Sequence, residues 1–397
     1  MTLARRALAI KTSPTLALDA RTKELQRQGV DIISFAVGEP DFDTPQHIKE
    51  AAIEAIAQGF TKYTPANGIP ELREAIAAKF KKENGLDYKP ADTMVSVGAK
   101  HCIFNAVMVL CDEGDEVLIP VPYWVSYPEM VRVAGGVPVE VQSTAAEGFK
   151  LSGKKLAQSI TPKTRALILN SPSNPSGAVY HRHELEELAE VILKHNLWVI
   201  SDEIYEHLIY DGYEHVSIAA LGPEIKARTV VVNGVSKAFA MTGWRIGYLA
   251  APPALLRAMG DLQSHATSNA NSIAQKASVA ALTGPKEPIV QMAQEFDSRR
   301  RYMTERIRAF PGFSCQLPAG AFYVFPDITG VLGKKYQGQV IQDDNALAEL
   351  ILTEAHVAVV PGSGFGSPSN LRFSYATSMA KIEAGLDRIE RFLGKLE

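Results

Sequence analysis

Cysteine is scarce in this sequence: Cys102, Cys111 and Cys315 are the three among 397 residues. Their spacing matches no metal site, and an odd number leaves one thiol over in any disulfide scheme, so we expect reduced, buried thiols and no bound metal. Uncharged apolar runs of membrane-spanning length are missing as well. The stretch from Met1 to Lys11 lacks the apolar centre of a signal peptide. These absences predict a cytoplasmic protein with no membrane partner.

An excess of charge of one sign is also missing. The formal net charge is −3, the isoelectric point is near 6.3, and lysine and arginine are spread along the chain. This balance provides neither a basic groove for nucleic acid nor a basic face for an anionic membrane. Hydrophobic residues nevertheless make up 46% of the chain, enough for a sizeable core. We therefore expect a large domain with a smaller one, and small molecules as partners.

Short apolar runs rich in β-branched residues alternate with helical patterns through the first two thirds of the chain. Strands separated by helices predict an α/β fold with a mostly parallel sheet covered by helices on both faces. In such sheets ligands bind at the carboxyl ends of the strands. The seven predicted strands span 93–97, 116–120, 137–141, 166–169, 197–200, 230–232 and 248–251.

The sequence after residue 255 becomes mainly helical with a few short strands, at 320–325, 357–360 and 371–375. We expect a large domain over 47–287 and a smaller α+β domain over 288–397, which the arm 1–46 joins in part. A helix that opens at Pro45 is predicted to place Ile48, Ala52, Ile53 and Ile56 on one face.

A lysine and an arginine follow the strand at 230–232. Ser236 and Lys237 lie among small residues, and Arg245 comes eight positions after Lys237. A desolvated lysine becomes a nucleophilic amine that forms a Schiff base, and an arginine offers a planar fork to a phosphate. Pyridoxal 5′-phosphate (PLP) carries both an aldehyde and a phosphate, so the pair favours this cofactor. Taken alone, such a pair is more often a surface lysine and arginine in a loop.

Polar residues also follow the strand at 197–200. Asp202 stands where this strand ends, in position to pair with a protonated pyridine nitrogen, and Tyr205 lies three residues further on, in reach of a ring hydroxyl. An equally ordinary interpretation of Asp202 is a helix N-cap.

Three more strand ends carry candidate residues. Asn174 lies in a turn made rigid by prolines. Trp124 follows the strand at 116–120, and an aromatic ring at such a strand end can stack on a flat cofactor. Ala99 and Lys100 follow a glycine at a helix start, where backbone amides bind phosphate. The alternatives are a generic polar turn for Asn174, core packing for Trp124 and an ordinary helix start for Ala99 and Lys100.

Together these motifs resemble a known family. The turn at 174–177, Ser-Asp-Glu-Ile-Tyr at 201–205, and Ser-Lys at 236–237 with its trailing arginine occur in order, each at a strand end. The chain is similar to the class I and II aminotransferases of PLP fold type I, and particularly to the bacterial aspartate aminotransferase branch. The likeness extends from 37–40 to Arg372 and implies a seven-stranded large domain with a smaller α+β domain.

The resemblance implies a role for each matching cofactor residue. Lys237 would hold PLP covalently and move a proton, and Asp202 would bind the ring nitrogen. Tyr205 and Asn174 would hold the ring oxygen, while Trp124 would stack on the ring. The residues assigned to the phosphate are Ala99, Lys100, Ser236, Arg245 and, from the neighbouring subunit, Tyr63. The last assignment implies a homodimer with shared active sites.

The resemblance also implies the substrates, an amino acid and a 2-oxo acid. Arg372 would clamp the substrate α-carboxylate, helped by Gly38 and Asn174. A dicarboxylate needs a second cation, for which Lys100 is the candidate, with Thr12 and Ser13 closing over the same pocket. We therefore expect L-aspartate or glutamate as donor, 2-oxoglutarate or oxaloacetate as acceptor, and prephenate as a further acceptor in some members of this branch.

Three other functions stay open at the level of the sequence. One is an aromatic, kynurenine or broad-specificity aminotransferase. Another is a PLP-dependent β-lyase or cyclopropane-forming synthase, because the fate of the shared carbanion depends on geometry. The third is a non-catalytic binding protein that kept the fold. Rates with a panel of amino donors distinguish the first alternative from an aspartate aminotransferase. Stoichiometric conversion of bound PLP to its amine form by an amino acid distinguishes a transaminase from the second alternative.

Overall fold

The computed structural model describes residues 3–4, 7–8, 10 and 14–397. Within them the helices are α1 (Pro14–Arg27), α2 (Gln46–Ala57), α3 (Pro70–Asn84), α4 (Ala99–Leu110), α5 (Ser126–Val133), α6 (Gly153–Ser159), α7 (Arg182–Lys194), α8 (Pro223–Lys226), α9 (Pro253–Ala266), α10 (Ser272–Thr283), α11 (Glu287–Arg308), α12 (Asp344–Glu354) and α13 (Met379–Leu393). The strands are β1 (Ile33–Ser34), β2 (Thr93–Ser96), β3 (Glu116–Val121), β4 (Val137–Gln142), β5 (Thr164–Asn170), β6 (Trp198–Asp202), β7 (Thr229–Gly234), β8 (Gly247–Ala250), β9 (Tyr323–Val324), β10 (Lys335–Tyr336), β11 (Gln339–Val340), β12 (Val357–Ala358), β13 (Val360–Pro361) and β14 (Leu371–Ser374).

All seven predicted strands of the first part of the chain form one sheet, in the order β2-β8-β7-β6-β5-β3-β4. Strands β4, β3, β5, β6 and β7 are mutually parallel, whereas β8 runs antiparallel to both β7 and β2. The prediction of a mostly parallel seven-stranded sheet is confirmed.

The central strands are apolar along their middle residues because helices cover both faces of the sheet. In β7, Val230, Val231 and Val232 are each 0% exposed. Alternate side chains of a strand point to opposite faces, and accordingly Val231 packs in one hydrophobic cluster while Val230 and Val232 pack in another. Burial on both faces explains why the run reads as continuously hydrophobic rather than alternating.

Smaller sheets lie in the C-terminal part of the chain. Strand β14 pairs antiparallel with both β13 and β9, and β1 pairs in parallel with β12, with Ile33 opposite Val357. The N-terminal strand is thus joined to the C-terminal region. The division into an arm over 1–46, a large domain over 47–287 and a small domain over 288–397 stays a prediction.

Two details of the sequence prediction differ from the structure. The predicted strand 357–360 is divided at Val359, because the chain leaves β1 there and pairs with β14 instead. On α2 the predicted apolar face is wrong in part: Ile48 and Ala52 are buried, but Ile53 is 63% and Ile56 is 56% exposed. Among the described helices, none is long and apolar enough to cross a membrane.

Candidate active site

A cavity of about 530 Å³ opens at the carboxyl ends of β5, β6 and β7. Because Asn170 lies opposite Asp202, and Asp202 opposite Val232, these three strands end together at one edge of the sheet. Most of the residues predicted for the site line the cavity: Gly38, Ala99, Lys100, Trp124, Asn174, Asp202, Tyr205, Ser236, Lys237, Arg245 and Arg372. The structure therefore brings together side chains from both ends of the sequence.

Lys237 lies in the loop that follows β7, and its side chain enters the cavity. The Nζ donates a hydrogen bond to Gly38 O at 2.5 Å. Removal from water lowers the pKa of Lys237 to about 8 and outweighs the nearby Glu39 carboxylate, which raises it. Among the residues that the structure describes, no carboxylate forms an ion pair with this lysine. A lysine in this state supplies an uncharged amine at nearly neutral pH.

Asp202 ends β6 and is buried. Its Oδ2 accepts a hydrogen bond from the Tyr127 hydroxyl at 2.6 Å, and its Oδ1 accepts one from the backbone N–H of Ile204 at 3.3 Å. Burial raises the pKa of Asp202 to about 6, although both hydrogen bonds favour the ionised form and oppose the rise. Tyr127 was not predicted as a site residue, because no local pattern connects it with Asp202, which lies 75 positions further along the chain.

Arg372 projects from β14 and is only 3% exposed. Its Nη1 donates to Asn174 Oδ1 at 3.0 Å and its Nη2 donates to Ala36 O at 2.6 Å, whereas its buried Nε has no partner among the described residues. Nor does any Asp or Glu side chain in the described part of the chain form an ion pair with this guanidinium. A buried charge without a counter-ion is unfavourable, so this end of the cavity is built for an anion.

Tyr205 and Tyr323 meet at the wall of the cavity, which both residues line. Their hydroxyl oxygens are 2.9 Å apart, and both side chains are buried. The Arg372 guanidinium lies 4.5 Å from the centre of the Tyr323 ring. Tyr323 comes from β9 and was not predicted as a site residue, although the apolar pattern 320–325 marked its strand. The pair connects the cavity wall formed by the large sheet with the small sheet.

The start of α4 and Arg245 form the opposite end of the cavity. Gly98, with φ of +80°, begins the helix, and no side chain caps it. A Cβ on Gly98 would lie 2.5 Å from Arg245 Nη2, and a Cβ on Gly247 would lie 2.1 Å from Ala99 N. Both glycines therefore allow a close approach that leaves the first helical amides and a guanidinium facing one space, the arrangement that binds phosphate.

Trp124 and Lys100 form one wall of the cavity. The Lys100 Nζ lies 4.8 Å from the centre of a Trp124 ring, and Trp124 also packs edge-on against Tyr127. Lys100 is thus a further basic side chain on the cavity surface, besides Lys237, Arg245 and Arg372. An amine, a buried acid, a flat aromatic face and an anion site thus surround one cavity, and this donor set fits PLP.

Three predicted residues are not placed in the cavity. Tyr63 lies on the loop between α2 and α3 with 92% of its side chain exposed, and it does not line the cavity of its own chain. Thr12 and Ser13 lie outside the described residues.

Comparisons with known proteins agree with the geometry. The family model "Aminotransferase class I and II" matches residues 30–389. The chain is 52% identical over 393 residues to the aspartate aminotransferase of Geobacillus stearothermophilus, covering 99% of each protein. It is 51% identical over 390 residues to a probable aspartate/prephenate aminotransferase of Rickettsia bellii, covering 98% of each.

Among solved structures, the crystal structure of the aspartate aminotransferase from Rhizobium meliloti superposes with a TM-score of 0.97 at 47% identity, covering 100% of both chains. The fold, the cavity and the sequence matches lead to one conclusion: this chain belongs to the class I and II aminotransferases and is a PLP-dependent transaminase of fold type I.

Proposed function

We propose that this transaminase takes the amino group of L-aspartate or L-glutamate and transfers it to a 2-oxo acid such as 2-oxoglutarate or oxaloacetate. Relatives that share about half of its residues carry the name aspartate aminotransferase. The observation that carries the proposal is that Lys100, against Trp124, lines the same cavity as Arg372, with which no carboxylate among the described residues pairs. With Lys237 and Arg245 assigned to the cofactor, these two cations suit a substrate with two carboxylates.

We propose that PLP is held along the cavity edge by residues with separate tasks. The Asp202 carboxylate would bind the ring nitrogen and keep it protonated, and Tyr205 with Asn174 would hold the ring oxygen. Trp124 would stack on the ring. When bound, the cofactor supplies an electron-poor ring that stabilises negative charge at the substrate Cα. The phosphate is assigned to Ala99, Lys100, Ser236 and Arg245.

Lys237 and Arg372 then divide the work on the substrate. Lys237, with its pKa lowered to about 8 by burial, has an uncharged amine available to remove the Cα proton. Arg372 would bind the α-carboxylate with N–H groups that its hydrogen bonds to Asn174 and Ala36 leave free, supported by the Gly38 backbone. Fixing the carboxylate at one end orients the Cα–H bond towards Lys237 Nζ.

We assign the distal carboxylate to Lys100, together with Thr12 and Ser13. Prephenate also carries two carboxylates, and the Rickettsia bellii relative is named for it, so we propose prephenate as a further acceptor. An aromatic side chain has no carboxylate for Lys100 to bind, and for this reason the aromatic or kynurenine alternative is the weaker one.

We further propose a cytoplasmic homodimer with shared active sites. The highly exposed Tyr63 would reach the phosphate in the neighbouring subunit, and the exposed Ile53 and Ile56 on the adjoining helix would be covered by the same contact. Isolated exposed apolar residues are common, but an exposed tyrosine beside two exposed isoleucines favours an interface.

A donor panel with Lys100→Ala tests the substrate proposal. We expect kcat/KM for aspartate and glutamate to fall on the order of tenfold to a hundredfold, the size of one charge-assisted hydrogen bond. The values for alanine and phenylalanine should change far less. Lys154→Ala, at an exposed lysine of α6 outside the cavity, is the matched control. Equal losses for all four donors would remove Lys100 from this role.

A further inference from the structure

Two fully buried glutamines support the loop that carries Tyr63. This loop covers residues 58–69 between α2 and α3, and Tyr63 projects from it with 92% of its side chain exposed, whereas Gln263 on α9 and Gln275 on α10 are each 0% exposed. Burying a primary amide is unfavourable unless its donors and its acceptor are hydrogen-bonded. The partners of these two amides therefore indicate what each glutamine stabilises.

Gln275 joins both ends of the segment that follows Tyr63. Its Oε1 accepts the backbone N–H of Ile69 at 2.8 Å, and its Nε2 donates to Thr64 Oγ1 at 3.0 Å and to Ala270 O at 2.8 Å. Thr64 is the neighbour of Tyr63 in sequence. The hydrogen bonds of one side chain thus fix the residue next to the tyrosine and the residue that leads into α3.

Gln263 supports the same loop but also the cavity of its own chain. Its Nε2 donates to Ala66 O at 2.7 Å and to Val95 O at 2.8 Å, and its Oε1 accepts from Ser96 Oγ at 2.6 Å. Val95 and Ser96 belong to β2, which leads into the start of α4 at the cavity. By contrast, among the described residues the Gln275 amide contacts none that line the cavity.

The loop is anchored on the other side of Tyr63 as well. Ser272 Oγ donates to Phe60 O at 2.9 Å. After Tyr63, Gly68 has φ of +103°, and a Cβ there would lie 2.5 Å from Val95 Cγ2, so the loop passes close against β2. Tyr63 consequently stands on backbone that is held on both sides while its own side chain is left exposed.

We propose that Gln275 is a positioning residue for the active site of the partner subunit. It fixes the backbone beside Tyr63, so that the tyrosine hydroxyl is already in place for the phosphate of the PLP bound in the other subunit. The proposal rests on the proposed homodimer with shared sites. Ordering the loop before contact removes part of the entropic cost of that contact. Gln275 therefore acts on the other subunit's site and not on the site of its own chain.

Hybrid dimers with one inactive site test this directly. Two differently tagged chains are co-expressed, and one of them carries Lys237→Ala. In such a hybrid dimer only the chain with the intact Lys237 can bind PLP covalently. When Gln275→Leu is on the Lys237→Ala chain, the remaining site receives the altered loop. We then expect PLP to be lost faster on the order of tenfold, the effect of about one net hydrogen bond. When Gln275→Leu is on the chain with the intact site, PLP retention should match that of the parent hybrid.

The readout is the fraction of PLP still attached to Lys237 after dilution into inorganic phosphate, trapped by borohydride reduction. Ser278→Ala is the matched control, because Ser278 is buried on the same helix but its Oγ bonds within α10, to Ala274 O at 2.8 Å. It should have no effect in either arrangement. Thr64→Val removes one of the three partners of the Gln275 amide, the one next to Tyr63. It should reproduce the pattern of Gln275→Leu, and it serves if the Gln275→Leu chain does not assemble.

Tyr63→Phe in the same two arrangements separates this inference from the proposal beneath it. If Tyr63→Phe does not act on the partner's site, the shared-site proposal fails and the inference fails with it. If Tyr63→Phe acts on the partner's site but Gln275→Leu and Thr64→Val do not, the inference alone is overturned. A loss of PLP from the site of the mutated chain itself would also overturn it.

Discussion

Two buried basic side chains lie near the turn that follows β6, and they differ in whether a carboxylate balances their charge. Lys79 is 4% exposed and forms an ion pair with Glu206, and its Nζ also donates to Asn84 Oδ1 at 2.7 Å. Arg372 is 3% exposed, yet no carboxylate among the described residues pairs with it. The charge of the lysine is balanced within the chain, so that removing either partner alone would be costly, whereas the charge of the arginine is left for an anionic ligand to balance.

The turn after β6 has the cavity on one side and a group of paired, buried charges on the other. Asp202 and Tyr205 face the cavity, while Glu203 and Glu206 face away from it. Glu203 accepts from Ser201 Oγ at 2.8 Å and from Ser217 Oγ at 2.7 Å, and Glu206 accepts from Asn233 Nδ2 at 2.7 Å. Burial by itself would raise the pKa of Glu206. The charge of Lys79, the largest of the opposing causes, helps to lower it, and the net result is a pKa below the ordinary value.

Clusters of acidic and histidine side chains at this turn do not require a metal to balance them. Glu206 belongs to both groups of potential ligands, one with Glu83 and His207 and the other with Glu203 and His215. Because the ammonium of Lys79 already lies against Glu206, the positive charge that an ion would bring is present. In this protein the buried Glu206 has its counter-ion within the chain, whereas among the described residues the buried Arg372 at the cavity has none.

The sharpest test of this contrast is Lys237→Ala, for which we expect the largest effect. Loss of proton transfer alone removes on the order of 10²–10⁴-fold in rate, and loss of the covalent attachment adds to it, so amino-group transfer should become undetectable. The free energy of unfolding of the apoprotein should change little or rise, because a poorly solvated amine is removed. Steady-state transfer from aspartate and urea unfolding measure the two. Retention of the parental rate would contradict the assignment.

The reciprocal variant is Lys79→Met, which should damage stability and spare the chemistry. It leaves Glu206 buried without its counter-ion, and we expect a loss of about 3–5 kcal/mol in the free energy of unfolding. KM for aspartate should stay within about twofold in the protein that remains folded, since the residue is not at the cavity. Urea unfolding of Lys79→Met and of Lys79→Met with Glu206→Leu provides the check, and the second change should restore part of the loss.

Arg372→Lys is expected to have an intermediate effect, confined to the substrate. A lysine keeps the charge but not the two parallel hydrogen bonds, so KM should rise on the order of 10–100-fold. The rise should be similar for aspartate and alanine, because both carry the α-carboxylate. A donor panel at saturating PLP measures it. A rise for aspartate alone would instead move Arg372 to the distal carboxylate.

The smallest effect concerns pH. An amine attacks an aldehyde only when it is unprotonated, and burial lowers the pKa of Lys237 from 10.5 to about 8. The rate at which apoprotein attaches PLP should therefore rise with pH and level off above about pH 8. Glu39→Gln removes a carboxylate that raises this pKa and should move the midpoint to lower pH. A rate that still rises steeply above pH 10 would show an ordinary exposed lysine.

The strands and the residues at their ends were predictable because both leave local patterns in the sequence. Short apolar runs between helical stretches indicated the seven-stranded sheet, and parallel strands with a shared edge bring Asp202 and Lys237 into one cavity. Arg372, far along the chain, was assigned by the resemblance, and the pairing of β14 with β13 and β9 brings it there.

The supporting contacts were not predictable, because they join residues that no local period connects. Tyr127 meets Asp202 across 75 positions, and Tyr323 meets Tyr205 across 118. The exposed side of α2 was missed for another reason: Ile53 and Ile56 fit an apolar pattern, but a pattern does not tell which apolar residues face the chain's own core and which face outward. The buried Gln275 left no signal of its role.

The most direct test is a single half-reaction of purified protein with bound PLP and L-aspartate, without an acceptor. We predict one oxaloacetate per site, with the visible absorbance of the cofactor converted to that of its amine form and no release of ammonia. Ammonia with continued turnover and an unchanged cofactor spectrum would indicate a lyase and contradict the account. No spectral change with any amino acid would contradict it altogether.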